Sequence, residues 1–159
     1  MSAMSFDEQV VIDAEPGDVW LAVEDPGLVA EWNEKMVGFR PLGDGARGVG
    51  YRAELEYVMS GKLRGCTGEI EVYEVGECLR WRYEDFRVED KFDHGVCYEE
   101  FLLKRLRGGR TRLVHKMTVA GLDVPWYVRW LIWFFQRFGT PRGDSTMMRL
   151  KRLVEVGSV

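Results

Sequence analysis

The sequence predicts an α+β domain: a curved antiparallel sheet of about six or seven strands around a long, kinked C-terminal helix, with two short helices after the first strand. Three observations predict it. Apolar and polar residues alternate in four separate runs between residues 51 and 119. The breaks between runs are short turn signals, Ser60-Gly61, Val75-Gly76-Glu77 and Gly108-Gly109, of the kind that join neighbouring antiparallel strands. After Gly121 the apolar period lengthens to that of a helix. The 159 residues suit one domain, residues 1–159, long enough to bury a core without disulfides or metal.

Each element has a local reason. Residues 5–13 read as a strand with Phe6, Val10 and Ile12 on one face. Glu15-Pro16-Gly17-Asp18 breaks it, and Pro16 in a first turn opens a short apolar helix over Val19–Val23. Asp25-Pro26 starts a second helix, with Asp25 as cap and Leu28, Val29 and Trp32 free to turn inward. From residue 35 the period becomes two. Tyr51, Ala53, Leu55, Tyr57 and Met59 alternate with Arg52, Glu54 and Glu56, and Val58 alone breaks the pattern. Ile70 and Val72 alternate with Glu69 and Glu71, and Leu79, Trp81 and Tyr83 with Arg80, Arg82 and Glu84. Leu113, His115, Met117 and Val119 alternate with Arg112, Lys116 and Thr118. Each run has one buried and one wet face, so the economical topology is a meander covered on one side. A further strand, Val96 to Leu103, carries apolar residues at both parities, which leaves its register open.

The C-terminal helix carries Tyr127, Leu131, Phe134 and Phe138 on one face. Gly139-Thr140-Pro141 then reads as stop, cap and restart, and Met147, Leu150 and Val154 form the face of the next piece. From Phe138 to Met147 the rotation is about 900° at ~100° per residue, half a turn out of phase. One straight helix cannot bury both faces, so a break is expected near residues 139–143.

Composition narrows the function classes. The net charge is −4 with signs interspersed and no basic block, which argues against nucleic acid. The first eight residues lack a signal peptide's basic start and apolar run, and no segment reaches the ~20 apolar residues of a membrane span. Cys66, Cys78 and Cys97 show no CxxC spacing and read as reduced thiols of a cytoplasmic protein.

Val11-Ile12-Asp13-Ala14-Glu15-Pro16-Gly17-Asp18-Val19-Trp20, followed by Asp25-Pro26-Gly27-Leu28-Val29-Ala30-Glu31-Trp32-Asn33, resembles the opening of START-like polyketide-cyclase/dehydrase and lipid-transport proteins. Gly68–Glu74, Leu79–Arg82, Thr111–His115 and Leu150–Glu155 continue the resemblance over nearly the whole chain. It implies the helix-grip fold, with a cavity between sheet and long helix. Members bind lipids, hormones, polyketides or other apolar molecules, and some are enzymes. The superfamily has no invariant catalytic motif to carry over.

The chemistry-bearing residues are few. Gly43-Asp44-Gly45-Ala46-Arg47-Gly48 matches GxGxxG, but a strand follows where dinucleotide binding needs a helix, so it reads as a flexible hairpin loop. With the helix-grip fold, that loop is expected to rim the pocket. His94 and His115 have no HExxH, Cys/His cluster or Asp-rich loop around them, so neither a metal nor another cofactor is expected. His115 occupies an inward slot between Leu113 and Met117; it is either a core histidine with a hydrogen-bonded neighbour or a polar handle in a cavity. Alternation sends one of Glu99 and Glu100 inward. The inward one is salt-bridged, sits at a solvated edge position or, near His115, is a general base for closing a polyketide. His115, Glu99 and Glu100 are therefore the catalytic candidates. Tyr57, Trp81, Tyr83 and Tyr98 bring polar tips to apolar faces. With Trp32, Tyr51, Met59 and Met117 they are candidate ligand contacts from the sheet side. Leu131, Phe134 and Phe138 are the candidates from the helix.

The leading reading is a binder of a hydrophobic small molecule, and the alternative a polyketide cyclase or dehydratase. A third reading, a protein- or membrane-interaction module, rests on Trp126, Trp130, Trp133 and Phe135, which cannot all face the sheet. Loop packing or a homodimer contact explains them better than a membrane surface, since the net negative charge disfavours anionic lipid.

Overall fold

In a computed structural model, which describes residues 3–59, 61–88, 91–121 and 145–157, the chain opens with β1 (Met4–Ile12), α1 (Pro16–Glu24) and α2 (Pro26–Trp32). The strands β2 (Met36–Pro41), β3 (Arg52–Met59), β4 (Lys62–Glu74) and β5 (Cys78–Val88) follow. After them come β6 (Lys91–Asp93), β7 (Val96–Leu106), β8 (Arg110–Ala120) and α3 (Thr146–Glu155). The sheet order is β1-β8-β7-β5-β4-β3-β2, antiparallel at every pairing, with the short β6 attached to the end of β5. The hairpin turns thus produce the expected meander. The first strand closes it by pairing with the last, so α1 and α2 connect one edge of the sheet to the other.

The opening helices start as their residues dictate. Pro16 and Pro26 occupy first turns, where the missing N–H costs nothing, and the Asp25 carboxylate accepts from the Gly27 amide at 2.8 Å. Val19, Trp20, Ala22 and Val23 of α1 and Trp32 of α2 are buried in one core with Ile12, Ile70, Leu79, Phe101, Leu103 and Leu113 from the sheet. Full burial of a side chain such as Leu79 or Leu113 stabilises by about 1.5–3 kcal/mol. Two irregularities bend the sheet over this core. On β5, Asp85 (φ 54°) and Phe86 stand against Cys66 alone, and on β4 the ladder slips by one residue between Ile70 and Val72.

α3 closes the structure against β1 and both short helices. Met147, Leu150 and Val154 are its buried face, as their spacing predicts. Lys151 donates to the Val11 carbonyl at 2.6 Å and Glu155 accepts from the Asp13 amide at 2.8 Å, so the helix ties off the end of β1. Its start differs from the expected Thr140-Pro141. Ser145 is extended and accepts from the Met148 amide at 3.2 Å, so this helical piece opens at Thr146. The break expected near residues 139–143 lies outside the described residues, as does the face of Tyr127, Leu131, Phe134 and Phe138.

Candidate functional site

On the concave face of the sheet a line of polar side chains crosses three neighbouring strands. In β5, β7 and β8 the odd-numbered residues face the core: Leu79 and Trp81, then Phe101 and Leu103, then Leu113. The same parity brings Tyr83, Glu99 and His115 to that face. The β5–β7 and β7–β8 registers then set them on successive diagonals, because Cys97 lies across from Tyr83 and Met117 from Glu99. Tyr83 Oη donates to Glu99 Oε2 at 2.7 Å, and Glu99 Oε1 lies 2.8 Å from His115 Nε2. The His115 ring stacks on Phe101 (4.7 Å, 14°), which itself meets Trp32 edge to face (6.2 Å).

Sequence prepares this geometry at Gly68. A Cβ there would lie 2.9 Å from the Tyr83 ring and 3.0 Å from Leu55. The glycine therefore leaves the space in which Tyr83 lies, stacked on Trp81 (5.9 Å, 6°) with its hydroxyl toward Glu99.

The electrostatics follow from the contacts. Burial by itself would raise the Glu99 pKa, but the hydrogen bond and charge of His115, with the Tyr83 hydrogen bond, outweigh it and hold the carboxyl below its ordinary range. Burial, then the Glu99 charge and hydrogen bond, pushes the Tyr83 hydroxyl well above its ordinary value, so it stays a donor. Burial and neighbouring acidic groups push the Cys66 and Cys97 thiols up to about 12, which leaves them unreactive. An ionised carboxylate beside an imidazole can polarise a carbonyl through His115, hold a hydroxyl, or take a proton from an acidic C–H.

The structure sorts the expected site residues. It brings together His115, Glu99, Tyr83 and Trp81, with Met117 directly across from Glu99. Tyr57 shares their face, its hydroxyl also pushed up by burial. Tyr51 meets Trp81 edge to face at 6.3 Å. Trp32 is core: its indole N–H donates to the Ala22 carbonyl at 2.8 Å, which leaves no polar tip for a ligand. Met59 ends β3 opposite Lys62. Glu100 and Tyr98 are corrections. Their even parity turns them to the outer face, where Glu100 sits 4.0 Å from Arg80 and the Arg80 guanidinium covers the Tyr98 ring at 4.6 Å. His94 is exposed. Leu131, Phe134, Phe138 and the Trp126–Phe135 stretch lie outside the described residues.

A second polar cluster was not anticipated. The GxGxxG stretch is indeed the β2–β3 hairpin loop, but it is pinned rather than free. Arg47 Nε donates to Glu24 Oε1 at 2.8 Å, and Arg47 Nη2 donates to the Glu24 carbonyl. Tyr73 Oη donates to the same Glu24 oxygen at 3.2 Å. The guanidinium lies 4.8 Å from the Tyr51 ring, 5.3 Å from Trp81 and 5.7 Å from Phe39. The signal available in sequence was a single long cation in a glycine-rich loop flanked by Phe39 and Tyr51. Glu8 is a further addition: it pairs with His115 across β1–β8 and is exposed.

With this geometry in view, comparison with solved structures decides the architecture. A protein from Thermus thermophilus superposes with a TM-score of 0.71 at 17% identity, covering 98% of this chain and 100% of that one. The fold is the helix grip. A Chromobacterium violaceum protein matches with a TM-score of 0.66 at 24% identity over 95% of this chain and 96% of that one. Ginseng major latex-like protein 151 from Panax ginseng matches with a TM-score of 0.65 at 13% identity over 97% and 96%. No protein-family model matches the sequence, and no curated protein does. Among the described residues no helix is long and apolar enough to cross a membrane, and Cys66, Cys78 and Cys97 are free and buried.

Proposed function

We propose that this chain acts as one domain, residues 1–159, that binds a hydrophobic small molecule, lipid-like or polyketide-like, between the concave face of the sheet and the C-terminal helical segment. The observation that carries this reading is the Tyr83–Glu99–His115 chain, an ionised carboxylate and an imidazole set among apolar side chains. A buried carboxylate–imidazole pair contributes little net stability over apolar residues of the same volume. A ligand hydroxyl or carbonyl, however, needs such a partner once it leaves water. A reducing cytoplasm suits three buried thiols.

The test is native mass spectrometry of the protein purified from its own host. The expected result is one co-purifying apolar compound, lost in His115→Leu and weakened in Tyr57→Phe. Binding unchanged in both variants removes the site, and a protein that neither carries nor takes up any apolar compound ends the reading.

A second reading, a polyketide cyclase or dehydratase, is favoured by the 2.8 Å convergence of two ionisable groups, Glu99 and His115. The pair would take a proton from a methylene between two ketones. The enolate carbon would attack a carbonyl farther along the chain, and the new alkoxide would be protonated before water is lost. Incubation with a poly-β-ketone thioester, followed by chromatography, separates the two readings. Cyclised product that disappears in Glu99→Gln supports chemistry; identical product profiles with and without protein support carriage.

A further inference from the structure

The Arg47 cluster is not used by the site just described, and its geometry is that of an incomplete ion site. A guanidinium offers five N–H donors in a planar fork. In Arg47 the Nε and Nη2 edge is occupied by Glu24, through its carboxylate and its carbonyl. Nη1 is buried and has no hydrogen-bond partner among the described residues. The aromatic rings of Phe39, Tyr51 and Trp81 offset part of that cost through their faces, but they accept no ordinary hydrogen bond. All three rings pack against the central core, so the guanidinium sits on the concave side, under its own loop. Trp81 links the two clusters. Arg47 covers its ring, Tyr83 stacks on it, and Glu99 lies directly across from it in the β5–β7 ladder.

We propose that Arg47 Nη1 receives a carboxylate of the bound molecule, so that the ligand is an apolar monoacid rather than a neutral lipid. This deepens the binding function proposed above and rests on it. One nitrogen lacks an acceptor, which suits one oxygen. Glu24 already places a carboxylate on the guanidinium, which disfavours a dianion such as a phosphate monoester. At the other end Glu99 is held ionised and repels an acid, so the charges orient the ligand: carboxylate at Arg47, neutral oxygen toward His115.

The test uses Nile red, a neutral apolar dye, bound to the full chain and displaced at constant ionic strength, below micelle formation, by dodecanoic acid, dodecanol or dodecyl phosphate. The acid is expected to displace the dye at about tenfold lower concentration than the alcohol, with the phosphate ester weaker than the acid. Arg47→Met should abolish the acid's advantage over the alcohol. Should Arg47→Met fail to fold, the double variant Glu24→Gln/Arg47→Gln removes both charges together and serves the same comparison. Equal displacement by acid and alcohol in the unmodified protein overturns the proposal, as does an acid preference surviving loss of Arg47 or a phosphate ester that outcompetes the acid. Each of these leaves the binding function standing, whereas failure of the chain to bind Nile red or any of the three amphiphiles sinks both.

Discussion

Glu99 and Glu100 are neighbours in one strand with opposite environments. Glu99 points to the concave face, where Tyr83 and His115 supply its hydrogen bonds and its side chain is 18% exposed. Glu100 points outward into a ladder of charges in which Arg80 also reaches Glu71 at 3.4 Å, and Arg82 meets Glu84 at 3.0 Å. On the outer face each charge keeps contact with water, and partners are interchangeable. On the inner face Glu99 has two specific partners, the Tyr83 hydroxyl and the His115 ring. The same residue type is therefore a surface feature in one place and a candidate functional group one residue away.

The largest expected effect tests the inner side of that contrast. Glu99→Leu leaves the Tyr83 hydroxyl and the imidazole without their acceptor and should cost about 3 kcal/mol in urea denaturation. A loss below about 1 kcal/mol would mean that the chain is not a structural unit. Next is Gly68→Ala, whose Cβ collides with the Tyr83 ring and should cost about 1–3 kcal/mol. It should also weaken binding of apolar ligands by moving Tyr83 away from Glu99; an unchanged melting temperature would refute the close packing.

Acid sharpens the comparison further. The Glu99 pKa lies below its ordinary 4.5, so its contribution is complete above that pH and declines as pH falls through the depressed value. Glu99→Gln should flatten the acid limb of the stability profile, while Glu100→Gln should leave it in place; parallel profiles for the unmodified protein and Glu99→Gln would contradict the assignment. The smallest effect is on the outer face, where Glu100→Gln should change stability by no more than about 0.5 kcal/mol.

Much of the architecture was legible because it repeats locally. Period-two runs marked the strands, Pro16 and Pro26 the helix starts, and Met147, Leu150 and Val154 the buried side of the last helix. The β7 register was not legible, since Val96–Leu103 is apolar at both parities and only pairing with β5 and β8 could choose one. Arg47 escaped for a different reason: a glycine-rich loop has no period, and its partner Glu24 is 23 residues away in the chain.

Alternation and turn chemistry by themselves determined an antiparallel meander with one apolar face, because side-chain direction in a strand depends only on parity. Which carboxylate meets His115, and what becomes of Arg47, was decided by the tertiary structure. Those contacts join residues far apart in sequence, and they form only when strand register and the packing of α1 against the sheet bring burial and a partner to the same point.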